Sequence, residues 1–150
     1  MFRPSSSLAT LIALVFVLSA STLSVAQDAD NAAKESYNGG IAQMQAGKPD
    51  SAITLFQAAI SKDPSYVDAY LNLGVAYFQT KSYDKALEQF RKVVEKNPQS
   101  VDGFANLGRV QNKLMRPAEA EEAFRSALAI KPDDPGILIE LGKVQYDRKT

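Results

Sequence analysis

The chain has 150 residues, 17 Lys and Arg against 17 Asp and Glu, and 45% apolar residues. That length suits one domain with a packed core. It contains neither Cys nor His, which removes disulfides, thiolate and imidazole metal ligands, and the commonest nucleophiles and general bases. The charge balance argues against a nucleic-acid partner, whose footprint is an excess of Lys and Arg.

The chain opens on Arg3, followed by an uncharged apolar run over residues 8–20 and by Ser24-Val25-Ala26. Composition then turns polar at Gln27-Asp28-Ala29-Asp30. A short positive start, an apolar run and small residues before a polar stretch predict a secretory signal peptide over residues 1–26. The mature chain is then periplasmic or secreted and begins with a polar linker, residues 27–32. If the segment stays uncleaved, residues 8–26 approach the roughly 20 residues of a membrane span. The protein is then membrane-anchored and faces outward. No Cys follows the apolar run, so lipid attachment there is excluded.

From residue 33 onward a 34-residue period governs the chain. It sets Gly40, Gly74, Gly108 and Gly142 in one series, Ala52, Ala86 and Ala120 in another, then Phe56, Phe90 and Phe124, and Pro64, Pro98 and Pro132. Such a period signals stacked repeats. Each unit holds two stretches with helical spacing, as in Tyr70, Leu73, Gly74, Tyr77 and then Ala86, Phe90, Val93, Val94. Pro49 and Pro117 open second helices, where the missing N–H does no harm. Pro64, Pro98 and Pro132 end them, and Ser65, Ser100 and Asp134 are expected to cap the helix that follows. The glycines predict close approach of a neighbouring helix, with the phenylalanines filling the space between pairs. One pair cannot cover its own apolar face, so the pairs must stack.

These positions resemble the tetratricopeptide repeat (TPR) family. Residues 67–100 carry the whole signature, Tyr70, Leu73, Gly74, Tyr77, Ala86, Phe90 and Pro98. Residues 101–134 keep Phe104, Leu107, Gly108, Ala120, Phe124 and Pro132 but place Gln111 at the Tyr position. Residues 33–66 keep Gly40, Ala52, Phe56 and Pro64, with Ser36, Gly39 and Gln43 at the bulky positions. Residues 135–150 begin a further unit with Leu138, Leu141 and Gly142. The resemblance implies an all-α superhelix of three helix pairs plus a C-terminal capping helix. In that helix Leu138, Leu141 and Val144 are expected to face inward, with Glu140, Lys143, Asp147, Arg148 and Lys149 outward.

The resemblance further implies a concave groove lined by the first helix of each unit. Carried onto this sequence, its contact positions include Tyr37, Ile41, Met44, Leu71, Val75 and Phe78, an apolar strip at one end. Arg109, Lys113 and Lys143 bring positive charge to the other, partly offset by Asp102 and Asp147, with Ala105 also at a contact position. Asn72, Asn106 and Asn112 complete the set. An apolar strip on a face not needed for stacking suits a partner's hydrophobic side chains; burial of that strip by neighbouring helices is the alternative. The basic clamp with which some family members hold a C-terminal carboxylate is absent, because Tyr37, Ile41 and Asp102 stand at its places.

No catalytic constellation, phosphate loop or metal motif is present, and no cofactor is expected. Glu121-Glu122 falls at a helix start, where acids suit the dipole. The expectation is a non-enzymatic scaffold that binds an unknown protein or peptide. The alternatives are self-association into a homo-oligomer, or a membrane-tethered assembly factor if the leader is retained.

Overall fold

The computed structural model describes residues 27–28 and 30–148; the expected leader, residues 1–26, and Lys149 lie outside them. Among the described residues seven helices follow in chain order: α1 (residues 30–45), α2 (Pro49–Lys62), α3 (Val67–Gln79), α4 (Tyr83–Lys96), α5 (Val101–Lys113), α6 (Pro117–Ile130) and α7 (Pro135–Asp147). No strand occurs among the described residues. Three pairs, α1–α2, α3–α4 and α5–α6, are followed by the single helix α7, the all-α superhelix expected. The first helices meet directly, α3 with α5 and α5 with α7, whereas α4 and α6 do not. The array therefore curves with α3, α5 and α7 on its inner side.

Local chemistry accounts for the boundaries. Pro49 and Pro117 sit in the first turns of α2 and α6, where no intrahelical N–H bond is lost. Pro64, Pro98 and Pro132 each follow a residue that has left helical geometry, Asp63, Asn97 and Lys131. Ser100 caps α5 by accepting from the Gly103 N–H at 3.0 Å. Asp134 caps α7, accepting from the N–H groups of Gly136 and Ile137 at 3.1 and 3.2 Å. Ser65 behaves otherwise. Tyr66 occupies the cap of α3, and the Ser65 N–H and hydroxyl donate to Asp63 Oδ1 at 2.8 and 2.6 Å. Ser65 lies one residue ahead of the phase that Ser100 and Asp134 share, so it braces the turn rather than the helix. At the other end, α1 reaches back through residues 30–32, part of the expected linker, with Lys34 Nζ 2.7 Å from Asp30 Oδ2 one turn earlier.

Within each pair the turn repeats one geometry. Gly47, Lys81 and Met115 are left-handed, with φ of 70°, 60° and 58°. The N–H of the residue after each donates to the carbonyl five residues back, Gln43, Tyr77 and Gln111, at 2.9, 2.8 and 2.9 Å. This closes the helix end and reverses the chain in three residues.

Packing explains the glycine series. A Cβ on Gly40, Gly74 or Gly108 would fall 2.5, 2.5 or 2.8 Å from the ring of Phe56, Phe90 or Phe124. The rings themselves are at most 1% exposed, and Ala52, Ala86 and Ala120 beside them are fully buried. Each Phe thus fills the notch left by the Gly of the facing helix in its own pair. Gly142, at the same phase, has nothing within 4 Å of a Cβ. In α7 the inward residues are Ile137 and Val144, with Leu141 half-buried. Leu138, expected inward, is 48% exposed. Its phase points to the side where a second helix covers the earlier units, and α7 has none among the described residues.

Candidate functional site

The six apolar residues expected to line the groove lie on the first helices of two successive units. Tyr37, Ile41 and Met44 on α1 and Leu71, Val75 and Phe78 on α3 are all half-buried, seated against one core cluster that includes Phe56, Leu73 and Phe90. Each offers part of its surface to solvent and part to the core. Tyr37 is fixed most tightly. Its ring lies 4.9 Å from that of Tyr66 and 5.8 Å from Phe56, and its hydroxyl accepts from Asn72 Nδ2 at 3.0 Å. The same amide nitrogen donates to the Asp68 carbonyl at 3.0 Å. Burial, reinforced by Asp68 and Tyr66, pushes the Tyr37 phenol above its usual range. It therefore stays neutral at physiological pH and keeps a hydroxyl for hydrogen bonding. Phe78 meets Tyr83 edge to face at 5.4 Å.

The C-terminal half is polar. Asp102, Lys113 and Lys143 are exposed, and Asn106 and Asn112 are half-buried. Arg109 is engaged within the chain. It donates to Asn106 Oδ1 at 3.1 Å, and its Nε stands 4.0 Å from Glu140 Oε1. Glu140, expected on the outer face, is thus turned toward the groove. Ala105 is 3% exposed and belongs to the core; its short side chain lets α5 settle against its neighbours. Exposed Ile139 and Tyr146 extend apolar surface onto α7.

One polar cluster away from the groove departs from the sequence expectation. Glu121 is not a solvated acid at a helix start; it is 7% exposed. It accepts from Gln145 Nε2 at 3.0 Å and from Arg148, and Arg125 Nη2 lies 2.7 Å away. Gln145 and Arg148, with Arg125, hold its carboxyl below the usual range. Arg148, expected as an outward solubilising charge, instead clamps α7 to α6. The signal lay in the period, since Ile53 and Leu87 hold this phase in the earlier units. An acid at an apolar phase demands buried partners.

Stacked helix pairs with one curved inner face define an α-solenoid. The family model of the tetratricopeptide repeat matches residues 37–101 and 83–135, and the chain belongs to that family. Its fold is similar to the first TPR of Spaghetti (RPAP3) bound to an HSP90 peptide, SRMEEVD, with a TM-score of 0.79 and 21% identity over 81% of this chain and 96% of that one. The Arabidopsis OM64 TPR domain gives a TM-score of 0.77 and 18% identity, over 79% and 98%. The second TPR domain of human RPAP3, in complex with the HSP70 peptide SGPTIEEVD, gives 0.73 and 21%, over 80% and 98%. No curated protein sequence matches the chain significantly.

Proposed function

We propose that this protein is an exported, non-enzymatic scaffold that captures a peptide or protein segment on its inner face. The observation that carries the reading is the joint placement of Tyr37, Ile41, Met44, Leu71, Val75 and Phe78, half-buried against one core cluster on the first helices of two successive units. The part of this strip on α3 is preformed and binds with little reordering cost. Two similar folds were solved with acidic peptides bound, which supports a peptide ligand as a class. The clamp positions here carry Tyr37, Ile41 and Asp102, so the preferred segment presents apolar side chains rather than a terminal carboxylate. Lys113 and Lys143 orient an acidic end of that segment.

Selection of peptides from a random library against the full chain tests this. Enrichment of apolar sequences, with binding lost in Val75→Asp while the melting temperature holds, is the expected result. If the variant also melts early, Val75 serves the core and the groove reading fails at that residue. Export rests on the leader, residues 1–26, and is checked by intact mass, which should show the protein recovered outside the cytosol without them. Leu138 on α7, 48% exposed, favours self-association as a second reading; a monomer by light scattering at high concentration would dispose of it.

A further inference from the structure

Gln111 stands where the repeat signature places Tyr, as Tyr77 does one unit earlier. It is only 7% exposed, and its Oε1 is buried without a hydrogen-bond partner. The residue lines a cleft of about 190 Å³ between α5 and α6. Phe104, Leu107 and Ala123 supply apolar walls, and the exposed carboxylates of Glu119 and Glu122 stand at its edge. A buried acceptor, an apolar lining and an acidic rim together are complementary to an alkyl stem that ends in a cation.

The preceding unit shows what belongs in such a place. At the phases of Glu119 and Ser126 it carries Lys85 and Lys92. Lys85 Nζ lies 5.5 Å from the centre of the Tyr77 ring, and Lys92 Nζ lies 5.9 Å from that of Tyr70. Lys92 also bonds Glu88 at 2.7 Å, and Glu88 shares its phase with Glu122. That unit therefore covers its aromatic surface with its own ammonium groups. In the next unit one lysine has become an acid and the other a serine, Tyr has become Gln, and the carboxylate remains. The cleft is opened and its charge is reversed.

We propose that the α5–α6 cleft receives one basic side chain, arginine or lysine, of a polypeptide partner, its N–H groups donating to Gln111 Oε1 and to Glu119 and Glu122. This contact is separate from the inner groove and does not depend on it.

The test uses the isotopically labelled full chain, titrated with N-acetyl-arginine amide and N-acetyl-lysine amide and followed by NMR. Neutral N-acetyl-citrulline amide serves as the isosteric control. The expected result is saturable, millimolar binding of at least one cation, with shifts confined to the Gln111 side-chain amide and the backbone of residues 119–126. Citrulline should not bind. Gln111→Tyr, which restores the residue of the preceding unit, should weaken binding at least tenfold by filling the cleft. Glu119→Lys combined with Ser126→Lys should do the same at two positions that are not buried, so a folded variant is available if the first does not fold. Linear shifts without saturation at tens of millimolar, equal binding of citrulline, or unchanged binding in the double variant would each overturn the proposal.

Discussion

At the scale of single residues, the glycine series separates packing from conformational preference. Gly74 and Gly142 share one helical phase, yet a Cβ on the first would meet the Phe90 ring at 2.5 Å and on the second nothing within 4 Å. Gly74→Ala should therefore destabilise the protein by about 1–3 kcal/mol through overpacking. Gly142→Ala should stabilise it by roughly 0.5–1 kcal/mol, because Ala suits a helix better than Gly. Chemical denaturation of the two variants checks both signs, and matching signs would contradict the account. Met115 offers a parallel case. It is 86% exposed and holds φ at 58°, a conformation that Gly47 occupies without strain in the first unit. Met115→Gly should raise stability by about 1 kcal/mol, a relief of the clash between Cβ and carbonyl.

Among the elements, α7 depends most on polar contacts. It buries only Ile137 and Val144, with Leu141 packed beside them, and Gln145 and Arg148 on Glu121 add a polar hold on α6. Asp134 at its start is likewise held below the usual carboxyl range, by Lys131 first and then by the N–H groups of the helix start. Both folded values are depressed, so both contributions are complete above the ordinary carboxylate range and fade as pH falls through the lowered values. Acid should release α7 before the other helices. Proteolysis or amide exchange, followed as pH falls below the ordinary carboxylate range, should show α7 opening first, and Glu121→Gln should flatten that pH dependence. The cap of α5 tests the helix start by itself: Ser100→Ala should cost about 0.5–2 kcal/mol. Ser65→Ala should cost less, since the Ser65 hydroxyl bonds Asp63 within the turn rather than an N–H of the helix.

Across the whole molecule, stability runs along the stack because each pair rests on its neighbours. The first unit is the weakest by composition, with Gly39-Gly40, Ser36 and Gln43 on α1. Ser36 is buried there, donating to the Ala32 carbonyl at 3.0 Å and receiving Lys62 Nζ at 2.7 Å. Polar bonds thus replace the bulky contact that Tyr70 makes at this phase in the second unit. Amide exchange should show α1 less protected than α3, and equal protection would refute the ranking. This matters for binding because Tyr37, Ile41 and Met44 ride on α1. A ligand in the groove should raise α1 protection toward that of α3.

The amino-acid order alone determined the helix pairs, their stacking and their ends. Those features repeat with a fixed period and depend on local chemistry, Pro that cannot continue a helix, Ser100 and Asp134 that cap one, and Gly that leaves a notch. It also set the phase of each helix, since a 34-residue period preserves phase, but not which residues that phase leaves accessible: Ala105, at a groove phase, is 3% exposed. Tertiary structure alone decided what depends on partners distant in the chain. Phe56, Phe90 and Phe124 were assignable to the core by spacing, but only packing shows that each ring enters the Gly notch of its own pair. Leu138 stays exposed because no second helix lies over α7 among the described residues, Glu121 is buried because Gln145 and Arg148 come from the next helix to meet it, and Arg109 is drawn toward Glu140. A period specifies where a side chain points, whereas its burial and charge pairing are properties of whatever the fold places opposite.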